Sequence, residues 1–166
     1  MEGFLSKIKS QPDMKSFVDR VKGKGKRVVF TNGCFDILHQ GHIHYLSEAK
    51  SLGHYLIVGL NSDSSVRNIK GNHRPLLPQR ARAELLAALC FVDGVVIFDE
   101  DNPRALIEYL QPHVLVKGAD WPEDEIVGAD IVKQSGGEVK TVPLVPGVST
   151  SEIIHRIASL TAAGDN

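Results

Sequence analysis

The chain is 166 residues long, enough for one domain with a substantial core. Its 19 Lys and Arg nearly balance 20 Asp and Glu, so bulk charge argues for neither nucleic acid nor membrane as a partner, and any anion site must be local. Cys34 and Cys90 are widely spaced and outside any CxxC pattern, the N-terminus lacks an apolar leader, and no apolar run approaches the ~18 residues of a membrane span, so a soluble cytoplasmic protein is expected.

Residues 1–26 read as a helical extension with two apolar patches, Phe4-Leu5-Ile8 and Phe17-Val18-Val21, separated by Pro12. The cationic run Lys22-Gly23-Lys24-Gly25-Lys26 follows, ordinarily a solvated connector. From Arg27 the pattern alternates. Val28-Val29-Phe30 has the short β-branched character of a strand buried on both faces. A helix follows with Ile43, Leu46 and Ala49 at helical spacing, ending near Gly53, and Tyr55–Leu60 is a second buried strand. Asn61–Pro78 is polar and reads as a loop long enough to suggest function. Pro78 then suits the first turn of a helix carrying Ala81, Leu85, Ala88 and Leu89 on one face. Val95–Phe98 is the third strand, and Asp101-Asn102-Pro103 opens a helix containing Leu106, Ile107 and Leu110. Val114–Val116 and Val139–Val142 are the fourth and fifth strands. Ser149 opens a last helix with Ile153, Ile154 and Ile157 facing inward, and residues 161–166 form a frayed tail. Such alternation implies a parallel sheet with helical crossovers.

The chemistry concentrates in Thr31-Asn32-Gly33-Cys34-Phe35-Asp36-Ile37-Leu38-His39-Gln40-Gly41-His42, the corner between the first strand and its helix. Backbone N–H groups and a helix N-terminus are open to anions at such a corner. The chain has no G-x-G-x-x-G after the first strand, no G-x-x-x-x-G-K-[ST] and no G-x-S-x-G. Zinc would need three or four ligands, and no second pair accompanies His39 and His42, so no metal-ligating residue is assigned. The remaining readings are two surface histidines, or two imidazoles facing a polyphosphate and stabilising charge in a transition state. Gly41 between them would let the backbone approach a nucleotide.

With Gly33-Cys34-Phe35-Asp36 and His39-Gln40-Gly41-His42, the chain resembles the cytidylyltransferase-like nucleotidyltransferases. Further blocks are Asn61-Ser62-Asp63-Ser64-Ser65, Lys70-Gly71, Arg74-Pro75, Val116–Trp121 and Ser149–Ile154. Together with Thr31–His39 they resemble the adenylyltransferase domain of the bacterial ADP-heptose synthases. The resemblance implies a single Rossmann-like α/β domain of the HxGH type over residues 27–160, with a five-stranded parallel sheet. It implies transfer of a nucleotidyl group from ATP to a sugar 1-phosphate, D-glycero-D-manno-heptose 1-phosphate, by in-line attack on the α-phosphorus with loss of pyrophosphate. Mg²⁺ is expected with ATP to offset the triphosphate charge, and a homodimer is expected. Relatives of this kind often carry a sugar kinase domain first; residues 1–26 are too few for one, so a stand-alone form is expected.

The resemblance also distributes roles. His39 and His42 contact the ATP phosphates, and Lys70 and Arg80 join them as catalytic cations. Asn32, Gly33, Cys34, Phe35, Asp36, Gly41, Lys117, Gly118, Asp120, Ser149, Thr150 and Ser151 bind the nucleotide; Asn61, Asp63, Arg74 and Trp121 bind the acceptor. Physical arguments run beside these. Arg80 and Arg82 fall in the first turn of a predicted helix, where the macrodipole disfavours cations unless an anion sits nearby; the plain alternative is a solvated arginine. Ser149 with Glu152 is a capping box whatever else it does. Trp121 is equally a packing residue. Val145-Pro146-Gly147-Val148 lacks the arginine of glycerol 3-phosphate relatives, which argues against that acceptor. The rival readings are a cytidylyltransferase for a polyol or amino-alcohol phosphate and a non-catalytic nucleotide sensor.

Overall fold

The structure is a computed structural model and describes residues 3–122 and 125–163, the last three by backbone alone. Six parallel strands form one sheet: β1 (Ile8–Lys9), β2 (Val28–Gly33), β3 (Tyr55–Asn61), β4 (Gly94–Phe98), β5 (Val114–Gly118) and β6 (Glu138–Val142), in the order β1-β4-β3-β2-β5-β6. The helices are α1 (Gln11–Lys22), α2 (Gln40–Ser51), α3 (Asp63–Lys70), α4 (Gln79–Ala88), α5 (Arg104–Leu110), α6 (Ala129–Gln134) and α7 (Thr150–Ala163).

Side chains alternate across the strands, so each strand supplies both faces. Val28, Phe30, Ile57, Val96 and Leu115 meet Met14, Val18 and Val21 of α1, Leu106, Ile107 and Leu110 of α5, and Val132 of α6. Val29, Leu56, Val58, Leu60, Val95 and Val116 meet Tyr45, Leu46 and Ala49 of α2 and Ala83, Leu86 and Ala87 of α4. Helix starts follow local chemistry. The Ser10 hydroxyl accepts from the Asp13 N–H and caps α1, and Ser62 does the same for α3 through Ser65.

Five differences from the sequence reading have physical causes. The sheet has six strands instead of five, because Ile8 and Lys9 pair with Val95 and Val96; two residues carry no readable alternation. The expected loop after Asn61 contains α3, whose buried side chains are only Ser65 and Val66, too few for a helical period. The buried face of α4 is Arg82-Ala83-Leu86-Ala87, with Leu85 exposed, because Arg82 points inward. On α2, Tyr45 is buried and Ile43 lies at the surface. On α7, Ile153 and Ile154 are half-buried and Ile157 is 54% exposed, so the inward stripe is shorter than expected. In addition, α6 went unread, and α7 runs into the expected tail to Ala163; residues 164–166 lie outside the described residues.

Candidate active site

The strand order reverses at β2: the chain builds β3, β4 and β1 on one side of it and β5 and β6 on the other. Crevices at the carboxyl ends of strands on either side of such a reversal are ligand sites. Here the crevice is propped open. β2 pairs with β3 along its whole length, Val28–Gly33 against Tyr55–Leu60, but with β5 only at Val29–Val114 and Phe30–Leu115. Beyond that point Tyr45 of α2 inserts its hydroxyl, 2.7 Å from Thr31 Oγ1 and donating to the Val116 carbonyl at 3.0 Å. A cavity of about 520 Å³ opens there, at the ends of β2, β3 and β5 and the start of α7.

The corner after β2 is tightly made. Phe35 has φ 43°, a left-handed conformation costly for a bulky residue. Its ring occupies the space a Cβ on Gly33 would need, 3.0 Å away. Asp36 is buried, and its carboxylate accepts from Arg74 Nε at 2.5 Å and from the N–H groups of Leu76 and Leu77 at 2.8 and 3.0 Å. Burial pushes this carboxyl up, but the donors from Leu77, Leu76 and Arg74 outweigh it and hold it below the ordinary carboxylate value. Arg82 is fully buried and donates to the carbonyls of Leu77 (2.9 Å), Cys34 (2.7 Å) and Asn61 (2.9 Å) and to Asp63 Oδ1 (2.7 Å). Asp36 and Arg82 thus brace three wall segments against one another: the corner, the end of β3 and residues 74–77.

His39 caps α2 in extended backbone and His42 lies in its first turn. Their rings stack with centroids 3.8 Å apart and planes 23° apart, and His42 also touches the Phe35 ring at 5.1 Å. Gly41 permits this packing, since a Cβ there would sit 3.0 Å from the His39 ring and 3.5 Å from the Val148 carbonyl. Both Nδ1 atoms and the Asn32 Oδ1 are buried without a hydrogen-bond partner. Burial lowers His42 to about 4, with His39 adding to the effect and the Ile37 backbone opposing it. Burial lowers His39 too, against the pull of Glu152. Both imidazoles are therefore neutral at pH 7. Unpartnered buried polar atoms are expensive, and all three belong to side chains that line the cavity.

Lys70, Arg74 and Asn61 line the cavity from the β3–α3 side; Lys117 and Gly118 line it at the end of β5 and Asp120 and Trp121 just past it; Ser149, Thr150 and Ser151 line it at the start of α7. The capping box is formed, with Ser149 Oγ accepting from the Glu152 N–H at 3.1 Å. Two expected residues are not brought there. Arg80 is solvated, its side chain 89% exposed and paired with Glu84 at 3.0 Å, so its place in the first turn is explained by an i,i+4 pair. Asp63 is taken by Arg82, and its N–H donates to Gln79. Tyr45 and Asp101 line the cavity and were missed. Tyr45 lies three residues past His42, one helical turn on, and Asp101 just past β4, so the spacing of α2 and the strand-end rule could have found them.

Among the described residues no three His, Cys, Asp or Glu gather as a ligand set. Asp101 and Asp120 are the cavity carboxylates outside any ion pair among the described residues. That suits a hard cation carried in by phosphate oxygens with one or two carboxylates beside it. Among the same residues no helix is long and apolar enough to cross a membrane.

Residues 30–156 match the family described as cytidylyltransferase-like. The chain belongs to the cytidylyltransferase-like family. By class it is a nucleotidyltransferase, and enzymes that work on nucleoside triphosphates generally need a divalent metal. It is 53% identical over 152 residues to the bifunctional protein HldE of Geotalea uraniireducens, and 50% identical over 152 residues to that of Pelobacter propionicus. These matches take in 92% of this chain but 31% of each relative, so the chain spans about a third of the length of the curated relatives it matches. Among solved structures it is similar to the lipopolysaccharide core biosynthesis protein of Thermoplasma volcanium, with a TM-score of 0.58 and 32% identity over 73% of this chain and 98% of the other. The pantoate-beta-alanine ligase of Francisella tularensis, at 15% identity and a TM-score of 0.59 over 88% of this chain and 74% of its own, shares the fold.

Proposed function

We propose that this member of the cytidylyltransferase-like family transfers an adenylyl group from ATP to D-glycero-D-manno-heptose 1-phosphate, giving ADP-heptose and pyrophosphate. The observation that carries the reading is the stacked, neutral His39–His42 pair with unpartnered Nδ1 atoms at the β2–β5 crevice, flanked by Lys70 and the N-terminus of α7. The identity to proteins named HldE and to a lipopolysaccharide core biosynthesis protein supports the choice of acceptor.

The attacking sugar-phosphate oxygen is already a nucleophile, so the site supplies position and charge stabilisation instead of a strong base. His39 and His42 donate to the α- and β-phosphate oxygens as charge builds on phosphorus. Asn32 and the Gly33–Phe35 backbone lie beside the nucleotide, and Ser149, Thr150 and Ser151 offer hydroxyls and the positive end of α7 to a phosphate. Lys70 lies toward the leaving pyrophosphate. Asn61, Arg74 and Trp121 lie toward the acceptor, Arg74 through the orientation that Asp36 gives it. Mg²⁺, when bound with ATP, offsets triphosphate charge, with Asp101 and Asp120 the carboxylates in reach of that role. A cytoplasmic homodimer completes the reading, and sedimentation of the purified chain tests the dimer.

The deciding experiment measures pyrophosphate release with ATP or CTP, each paired with heptose 1-phosphate or glycerol 3-phosphate. Preference for ATP with the heptose supports the reading; preference for CTP replaces it with a cytidylyltransferase.

A further inference from the structure

We propose that Lys117 is a phosphate-contacting cation of the transfer, delivered by the end of β5 into the floor of the cavity beside Cys34. The proposal rests on the nucleotidyl-transfer reading and goes past it by assigning a charge that the stacked histidines do not carry.

The placement comes from the split between β2 and β5. Their ladder stops at Phe30–Leu115, and the Tyr45 hydroxyl holds Thr31 away from Val116. Lys117 is therefore the first β5 residue past the wedge, and Asn32 is its counterpart on β2. Both line the cavity, and the Asn32 Oδ1 is unpartnered. Gly118 follows, where a Cβ would lie 2.5 Å from Asp120 Oδ1, so the Asp120 carboxylate packs close against the chain just past Lys117.

The other shielded cations here have structural partners. Arg82 pairs with Asp63, Arg74 with Asp36 and Lys50 with Asp93. Lys117 is only partly exposed, yet among the described residues it makes no ion pair and no side-chain hydrogen bond. Lys70, by contrast, sits exposed at the rim. A shielded ammonium with no carboxylate in ion-pair contact is costly and is kept where a ligand brings the negative charge. Neutral His39 and His42 donate hydrogen bonds but no net charge, so a triphosphate at the crevice needs a cation from the floor as well as the rim.

Lys117 titrates in a usable window. Burial lowers it to about 8, while the Cys34 thiol and the Asp120 carboxylate act the other way. The groups sharing its space do not blur that signal. Burial raises Cys34 against Lys70, Arg82 and Arg74, and burial raises Tyr45 despite its bond to Thr31. His39 and His42 are lowered and titrate on the acid side.

The test is pyrophosphate release by the full chain with ATP and heptose 1-phosphate between pH 6 and 10, for wild type, Lys117→Gln and Lys117→Arg, with kcat and KM separated for each substrate. In the wild type, kcat/KM for ATP declines above about pH 8, since this ratio reports the free enzyme. Lys117→Gln loses at least ~10-fold in kcat/KM at pH 7 and its alkaline decline disappears. Lys117→Arg, which stays charged throughout, keeps most of the activity and moves the decline upward. A Gln variant with wild-type constants overturns the proposal, as does a slower Gln or Arg variant that retains the same alkaline decline, the mark of a merely structural lysine. If the wild type releases no pyrophosphate with ATP and heptose 1-phosphate, the transfer reading falls and takes this proposal with it; an active wild type with an indifferent Lys117 removes this proposal alone.

Discussion

At the scale of single residues, the site depends on polar groups that are finished and polar groups that are not. Arg82 is finished: four acceptors from Cys34, Asn61, Asp63 and Leu77 satisfy a guanidinium fully out of water. Replacing it by Met leaves those acceptors unmet, so Arg82→Met should lower the unfolding free energy by roughly 3–5 kcal/mol in urea titrations. Arg80→Ala, which removes only an exposed pair with Glu84, should leave the midpoint almost unchanged. His42 is unfinished, and His42→Ala should reduce kcat by roughly 10²-fold or more while the circular dichroism stays native. Its lowered pKa has a second consequence. The unfolded chain takes up a proton near the ordinary histidine value, the folded chain only near 4. Stability contributed by the neutral ring is thus complete above about pH 6.5 and lost as the pH falls toward 4, on the order of 2–3 kcal/mol. His42→Gln should flatten that limb of the stability profile. The lowered carboxyl of Asp36 acts in the same direction at still lower pH.

At the scale of elements, the strand-to-helix corner was legible because its residue types are poor material for a core: two glycines, an aspartate and two histidines within ten positions, from Gly33 to His42. The paired arginines of α4 were not. Which of Arg80 and Arg82 turns inward depends on acceptors at Cys34, Asn61 and Asp63, brought from two other strand ends, and no local period shows that. Likewise β1 and α6, of two and six residues, are too short for periodicity to declare themselves. The Tyr45 wedge belongs here too. Its hydroxyl replaces the ladder bonds that β2 and β5 do not make, so Tyr45→Phe should leave Val116 and Thr31 without that partner. We expect a loss of about 1–2 kcal/mol in stability, read by urea titration, and a rise in KM for ATP larger than any fall in kcat, read by pyrophosphate release.

At the scale of the whole molecule, alternating strands and helices announced a parallel sheet from the sequence, but not the order of its strands. That order makes the site. Only because β5 returns to the far side of β2 do Lys117, Gly118 and Asp120 face the His39–His42 corner across an open crevice, with Lys70 and the α7 start closing the ring. The blocks that read as separate motifs in the chain are the rims of one cavity, and eighteen of the twenty residues expected from the sequence line it, the exceptions being Arg80 and Asp63. The measurement that tests this account most directly is nucleotide and acceptor preference: pyrophosphate release from ATP or CTP with heptose 1-phosphate or glycerol 3-phosphate, run beside His42→Ala. The account expects turnover with ATP and heptose 1-phosphate that collapses in the His42 variant. Turnover that prefers CTP, or a His42→Ala protein as active as the wild type, would contradict it.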